Sequence, residues 1–519
     1  MKKRVNWNLI FTVAFALTVA AEIFALISIL RLDMLPSLAT VLLILVFVLY
    51  DVLMAYYMFA RKRRGDRKRN ERIRKRRRIA ASVLAVLMIC GCAVVATVVN
   101  DVRNTLEAVQ AAQPEEAEAQ GETRAVFVRT YDGAQSLADA KDYTFGIVTG
   151  YDDEGTKQAV AAIEAQLGQT IRTESSLSAF EMADALLSGR INAMVLNSNY
   201  VSILEEEEQY AMFSDNTRIL ADVPIAGTGE KLDGTGLLLN AEGEIAENGV
   251  LKPFIMYVSG SDSREGTLEG HTRSDVNILV AVNPETYQVL LLNTPRDYLV
   301  ANPHANGAQD KLTHCGIWGI ANSIGALETL YECDVQYYGQ INFSGFARLI
   351  TALGGITVHS DVAFTLHNNV GKIKVGENDL NAREALAFAR TRKAFSDGDN
   401  TRGKNQMKVI KAILEKATSG KTILTKYKKI MKSIDGMFVM NVPMPLISEL
   451  VKRQVANMPE WNIQSYSATG EAGSELVYSV PDVKQYVIYP GEESNAKAKM
   501  LIQAVMNGEI LTDELMKSK

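Results

Sequence analysis

Val335-Gln336-Tyr337-Tyr338-Gly339-Gln340-Ile341, followed by Ser344 to Leu353, Gly354-Gly355 and Ile356-Thr357-Val358-His359, reads as strand, helix, helix stop and strand. The first and last pieces are short, apolar and rich in β-branched and aromatic residues. The middle piece repeats its apolar positions at helical spacing. Paired glycines suit the left-handed turn that closes a helix. Such a unit demands a sheet with helices packed on it, so the fold class here is α/β.

The pattern extends outward on both sides. Phe254 to Ser259 is a strand, and Val276 to Val282 with Tyr287 to Asn293 form a hairpin-like pair around Asn283-Pro284-Glu285-Thr286. A helix is expected over Ile317 to Leu330. Past His359, helical segments are expected over Thr401 to Ala417 and Ile423 to Ile434. Together these predict an α/β/α sandwich over 251–440, with an α/β extension over 441–519. Upstream, strands at Tyr143–Thr149, Gln169–Thr173 and Ile191–Leu196 alternate with helices at Thr156–Leu167, Leu177–Leu187 and Tyr200–Glu207. This is a small α/β lobe over 125–226, expected to hold a parallel sheet and similar to one lobe of a periplasmic solute-binding protein. Its acidic turn Gly150 to Gly155 lacks a glycine cradle for phosphate, so a spacer or docking role fits it better than a receptor role. Stretches 101–124 and 227–250 read as linkers.

The first hundred residues are different. Trp7–Leu30, Pro36–Ala60 and Ile79–Val99 are apolar and long enough to cross a hydrocarbon core of about 30 Å as helices. Between the second and third, 13 of the 18 residues from Arg61 to Arg78 are Lys or Arg. Positive residues stay on the cytoplasmic side, which puts the N-terminus and this loop inside and everything after Val99 outside the cell membrane. Of the chain's 55 Lys/Arg and 60 Asp/Glu, 17 and 5 precede Ile79, leaving 38 basic against 55 acidic residues beyond it, a net of -17. An acidic ectodomain of this kind is not built to coat nucleic acid. The Arg61–Arg78 loop is adequately explained by topology and anionic lipid headgroups, and no nucleic-acid partner is expected. Glu22 and Asp51 lie inside membrane helices, where contact between helices or protonation is the plain reading. Cys90 and Cys92 lie in the third membrane helix. Cys315 and Cys333 flank a predicted helix that would hold them too far apart to bridge, and free thiols are expected.

Against the acidic background, basic groups gather in a few places. Ala389-Arg390-Thr391-Arg392-Lys393 closes an apolar helical stretch, and Asp399-Asn400-Thr401-Arg402-Gly403-Lys404-Asn405-Gln406 follows. Two arginines at a frayed helix end can converge on one anion, and the planar guanidinium fork matches phosphate oxygens in pairs. The alternative is a solvated helix end. Further polar clusters sit at predicted strand ends: Gly260 to Arg264, Arg273-Ser274-Asp275, Pro295-Arg296-Asp297 and Lys311-Leu312-Thr313-His314. Ligands of α/β proteins gather there. Asp262 and Asp275 can hold Mg²⁺, which takes few carboxylates together with phosphate oxygens and water. Arg273, Arg296, Lys311, Arg390, Arg392 and Arg402 can surround the phosphates. No Ser-His-Asp or Cys-His arrangement stands out, and His314 reads as a helix cap or structural hydrogen bond.

The ordered set Gly260–Arg264, Arg273–Asp275, Thr294–Asp297, Lys311–His314, Tyr337–Phe343, Leu353–Val358 and Leu380–Lys393 resembles the LytR–CpsA–Psr family from about Lys252 to Lys416. The resemblance implies a cell-wall ligase that moves an anionic glycopolymer, of teichoic acid or capsule type, from an undecaprenyl diphosphate carrier onto peptidoglycan, forming a phosphodiester. It implies Mg²⁺ on Asp262 and Asp275, and essential diphosphate arginines at Arg273, Arg390 and Arg392. Arg296, Lys311, Arg402 and Gln406 match supporting positions. Asp275 or Asp297 is the expected proton acceptor. Apolar helices around Phe343–Leu353 and Ile410–Ile434 are expected to line a slot for the polyprenyl tail. One departure is Lys404-Asn405-Gln406, where the family commonly has a second arginine before paired glutamines. A diphosphatase using water at the same site, a membrane-tethered regulator that binds DNA, and a sensor role for the small lobe are the competing readings.

Overall fold

The computed structural model describes residues 7–59, 67–111, 123–150, 153–225, 251–261, 273–392, 394–395, 398–418 and 438–517. The linker 227–250, the helix expected at Ile423–Ile434 and Asp262 lie outside these. The chain forms two compact units: residues 1–108, 417–432 and 443–460 make one, and residues 109–416, 433–442 and 461–519 the other.

In the first unit, helices α1 (Trp7–Leu32), α2 (Ser37–Phe59) and α3 (Arg67–Ala111) are each long and apolar enough to cross a membrane. Arg67 to Arg78 of the basic loop is the first three turns of α3. Glu22 and Asp51 hydrogen-bond to one another across α1 and α2, which is the interhelical contact expected.

The second unit begins with the small lobe: β1 (Thr123–Arg129), β2 (Thr144–Val148), α4 (Asp153–Leu167), β3 (Arg172–Ser176), α5 (Ala179–Ser188), β4 (Ala193–Leu196), single turns α6 (Val201–Leu204) and α7 (Phe213–Asn216), and β5 (Thr217–Pro224). Its sheet order is β3-β2-β4-β1-β5. The three expected strands are parallel. The whole sheet is mixed, however, because β1 pairs antiparallel with both β4 and β5. Helical crossovers impose parallel direction only on the strands they join, and β5 returns from β4 through short turns. The strand expected at Gln169–Thr173 starts three residues later. Gly168 has a positive φ of 67° and Gln169 still donates to Glu164, so the helix end uses up those positions.

The larger domain contains β6 (Phe254–Ser261), β7 (Val276–Asn283), β8 (Gln288–Asn293), β9 (Leu299–Asn302), β10 (Ala308–Lys311), the turn α8 (Leu312–Cys315), α9 (Ile320–Tyr331), β11 (Tyr337–Asn342), α10 (Phe343–Leu353), β12 (Ile356–Ser360), β13 (Phe364–Thr365), β14 (Lys372–Ile373), β15 (Gly376–Leu380), α11 (Ala382–Arg390), α12 (Gly398–Thr418) and β16 (Phe438–Met440). After them come α13 (Met444–Asn457), which belongs to the membrane unit, then β17 (Asn462–Ser467), β18 (Gly470–Val477), β19 (Val480–Pro490) and α14 (Glu492–Met506). The central sheet runs β16-β11-β6-β7-β8-β17. Alternate residues face opposite ways. Ile255, Tyr257, Leu279, Leu290 and Leu292 pack on α9 and α14, while Ile278, Val289 and Leu291 pack on Met407, Ile410 and Leu414 of α12. This is the expected α/β/α sandwich. The stretch 441–519, expected as an extension, completes it: β17 pairs in parallel with β8, and α14 covers the face shared with α9. A sheet edge left bare at β8 would expose a full row of backbone donors and acceptors.

Helix α10 stops at Gly354, whose φ is 73°. A Cβ on Gly355 would sit 2.8 Å from the Leu380 carbonyl oxygen, so the pair of glycines is required by both turn and close approach. Gly319, φ 100°, delays α9 to Ile320. Cys315 and Cys333 are free thiols, as expected. The lobe and the larger domain share a core, in which Phe127, Phe180 and Tyr200 meet Ile317, Trp318, Val477 and Val487.

Candidate functional site

Parallel pairing of β6 with β11 sets Ser261 opposite Asn342, and pairing of β8 with β17 sets Asn293 opposite Ser467. Antiparallel β7 starts at Val276 beside Gly260. One edge of the sheet therefore collects the ends of four strands and the start of a fifth. The loops there are tied to one another through the backbone. Asp275 donates to Gly260 O, Thr294 to Asn277 O, Thr313 to Arg296 O and Ser274 to Thr313 O. Beneath them, Ser274 Oγ bonds the Tyr257 and Ser259 hydroxyls at 2.9 and 2.8 Å, and the Tyr257 hydroxyl donates to Asn277. This buried polar net fixes the 273–275 loop before any ligand arrives.

The side chains on this frame form one charge cluster. Arg296 reaches Asp275 at 2.7 Å and Asp297 at 3.5 Å, and Lys311 reaches Asp297 at 2.8 Å. Arg402, on the first turns of α12, acts electrostatically on both Asp275 and Asp297. Gly403 lets α12 approach this closely, since a Cβ there would lie 2.2 Å from Asn293 Nδ2. Arg273 pairs with Glu206, a residue of the small lobe. Arg296 and Lys311 approach the same carboxylate at 3.5 and 3.9 Å. Side-chain exposure is 3% at Asp297, 5% at Lys311 and 15–20% at Arg273, Arg296, Asp275 and Glu206, so the cluster is largely dry.

Electrostatics follow from this crowding. Burial would raise the carboxyl of Asp275, but Arg296, Arg273 and Arg402 outweigh it and hold it below its usual range. Asp297 is lowered in the same way by Lys311, Arg296 and Arg402 against burial. For Glu206, Arg273, Lys311 and Arg296 prevail over burial. All three are ionised anions and weak bases until their partners are drawn elsewhere.

The remaining predicted residues fall as follows. Arg390 ends α11 and lies over the Phe343 ring, 4.6 Å from its centroid, directly after the end of β11 and so at the same sheet edge. Arg392 is exposed two residues on, beyond a Thr391 hydroxyl that caps α11 by donating to Ala387 O. Gln406 lies one turn beyond Arg402 on α12 and is half-buried. The neighbouring Asn405 is buried, with an Nδ2 that has no hydrogen-bond partner. His314 is fully buried with Nδ1 at 3.0 Å from Asp310, which also accepts from Asn302 and Ser479; it is the structural hydrogen bond expected. Ile350 and Ala412, on the helices expected to line a lipid slot, are buried in one apolar cluster with Phe388. Sequence reading missed Glu206. It stands within Glu205-Glu206-Glu207-Glu208, a run that reads as a solvated face, and only the fold shows one member turned inward.

The LytR_cpsA_psr family model matches residues 239–499. The chain belongs to this family. The LytR_cpsA_psr match spans the small β18–β19 hairpin and most of α14 as well as the strand-end loops, in agreement with a single sandwich running past 440. Among relatives, TagU of Halalkalibacterium halodurans, named a polyisoprenyl-teichoic acid–peptidoglycan teichoic acid transferase, is 31% identical over 245 residues, covering 46% of this chain and 75% of that protein. TagT of Bacillus subtilis, named for the same transfer, is 35% identical over 175 residues, covering 32% of this chain and 53% of that one. The chain thus spans between half and three quarters of the length of these relatives. Of solved structures, TagV of B. subtilis is similar over 49% of this chain and 98% of its own, at 24% identity and a TM-score of 0.42.

Proposed function

We propose that the protein transfers an anionic glycopolymer from an undecaprenyl diphosphate carrier to a sugar hydroxyl of peptidoglycan, outside the cell membrane. The observation that carries this reading is the convergence of Arg273, Arg296, Lys311 and Arg402 at one sheet edge, with Arg390 beside them, in a portion of chain whose net charge is strongly negative. Arginine forks and a lysine at close quarters suit a diphosphate. The relatives TagU and TagT, named as teichoic acid transferases, support the same substrate class.

In the proposed reaction the acceptor oxygen attacks the phosphorus that carries the polymer. The bond from that phosphorus to the bridging oxygen breaks, and undecaprenyl phosphate departs with the bridging oxygen. The hydroxyl proton passes to a carboxylate. Asp297 suits this step once the incoming phosphates draw Lys311 and Arg296 away and its basicity rises. Catalysis of this kind rests on positioning and charge neutralisation. Arg273, Arg390 and Arg392 would grip the diphosphate, with Arg296, Lys311, Arg402 and Gln406 in support.

Asp262 and Asp275 would hold Mg²⁺. Among the described residues no three His, Cys, Asp or Glu side chains gather into a self-sufficient cage. Asp275 stands at the start of β7 beside the end of β6, a placement that suits an ion which takes one or two carboxylates and completes its shell with phosphate oxygens and water. Bound there it would neutralise charge developing on the diphosphate.

The decisive experiment supplies lipid-linked polymer to the full-length protein in nanodiscs, with and without peptidoglycan. Polymer attached to peptidoglycan supports the reading. Polymer phosphate released equally in both conditions would make the protein a diphosphatase instead.

A further inference from the structure

One carboxylate in the cluster comes from outside the larger domain. Glu206 sits on a turn of the small lobe, yet its side chain is four-fifths buried among Arg273, Arg296 and Lys311. Its three glutamate neighbours in sequence make no such contacts. The turn is anchored at both ends by buried side chains. Leu204 and Tyr210 are buried in the core shared by the lobe and the larger domain, while the intervening backbone is held by single-turn bonds, Glu206 N to Ile203 O, Glu207 N to Leu204 O and Tyr210 N to Glu207 O. Such a turn can swing its carboxylate without unpacking the lobe.

We propose that Glu206 is a resident anion of the diphosphate site, displaced by the incoming diphosphate and returning when the product leaves. This rests on the diphosphate reading above. Glu206 and a phosphate need the same partners, since Arg273, Arg296 and Lys311, which hold Glu206 here, are among the groups assigned to the diphosphate.

Phosphate oxygens and the Glu206 carboxylate compete for the same N–H donors, and two anions in a largely dry pocket repel strongly. They exclude one another. The group is also unsuited to proton transfer, since three cations keep it ionised. Its role is then competition: a phosphate ligand must displace a carboxylate already paired. Entry of substrate therefore moves the 205–209 turn of the lobe, and departure of product lets it return. The lobe becomes a gate on the site it touches.

The test uses full-length protein in nanodiscs, with inorganic pyrophosphate and inorganic phosphate as probes at fixed Mg²⁺, titrated calorimetrically. Glu206→Gln keeps the shape and removes the charge, and Glu208→Gln, an exposed neighbour, serves as control. Glu206→Gln should bind pyrophosphate about tenfold tighter, the scale of losing one charge-assisted competitor. It should bind phosphate tighter by a similar factor, since both probes must displace the same carboxylate. Glu208→Gln should match the unaltered protein. In the unaltered protein, amide exchange at 205–209 should rise when pyrophosphate binds.

Equal or weaker pyrophosphate binding by Glu206→Gln would overturn the proposal, as would a turn that stays protected while pyrophosphate is bound. If Arg402→Ala lost binding in that same series, the diphosphate reading would survive and only the gate would fall. If neither the unaltered protein nor Glu206→Gln bound pyrophosphate, with exchange elsewhere unchanged, the diphosphate reading would fail and the gate with it.

Discussion

Replacing Asp297 by Asn isolates the driest contact in the site. Asp297 and Lys311 are 2.8 Å apart and 3% and 5% exposed. At an effective dielectric of about 20, their attraction is on the order of 6 kcal/mol. Most of that offsets the hydration both groups lose, so the pair adds little net stability. Removing one partner is different, because it strands the other. Lys311 would keep only the more distant Glu206, at 3.9 Å. The expected cost is about 3–5 kcal/mol. Adding Lys311→Met to Asp297→Asn should recover at least about 2 kcal/mol of this, since the stranded charge is gone and a methionine fills similar volume. The chain has three tryptophans, of which Trp318 and Trp461 lie in the unit that holds the site. A Trp7→Phe background makes their fluorescence a specific reporter of urea unfolding in nanodiscs. A cost below about 1 kcal/mol for Asp297→Asn, or no recovery in the double variant, would mean the pair behaves like an exposed one and that the site is wet.

Four further outcomes are expected. Arg390→Ala should lose transfer by at least about a hundredfold and Arg392→Lys should be impaired, because an ammonium lacks the bidentate fork; near-normal rates in both would return that segment to a solvated helix end. Gly403→Ala should push Asn293 off Ser467 Oγ, its partner at 2.9 Å, and cost about 1–3 kcal/mol in the same urea assay. Asp275, Asp297 and Glu206 have folded pKa values below their ordinary 3.8 and 4.5. Their stabilisation is therefore complete above about pH 5 and is lost as pH falls through the depressed values, so Asp297→Asn should flatten the acid limb of stability against pH. A cysteine at position 112 should label on intact cells; labelling only after permeabilisation would reverse the orientation and remove access to the wall.

The sheet was legible where burial is two-sided. Runs such as Val276–Val282 and Tyr287–Asn293 must be strands because both faces meet apolar neighbours. The strand-end loops were legible for a related reason, since arginines and aspartates interrupt these runs where the backbone leaves the sheet. Edge strands were harder. Asn462-Ile463-Gln464-Ser465-Tyr466-Ser467 carries few apolar residues and gains its strand character from pairing with β8. The lobe's β1 and β5 escaped because no helix longer than one turn adjoins them directly in sequence to set a rhythm. Glu206 was hidden by its neighbours, because nothing local separates the one glutamate that reaches Arg273 and Arg296 from the three beside it.

Helix α13 gives the anchor a property that three spanning helices alone would not have. Its Ser448 hydroxyl donates to Leu32 O and its Lys452 pairs with Asp33 at 2.7 Å, both in the turn between α1 and α2. The chain leaves the membrane unit after residue 108, comes back to it at 443–460, and only then supplies β17. The attachment is a clasp fastened at two places along the sequence. A protease that cuts between residues 112 and 122 would nick the protein without shedding it, because the released piece still carries the segment that grips the α1–α2 turn. Loss from the membrane would take a second event, either cleavage after 460 or the opening of that grip.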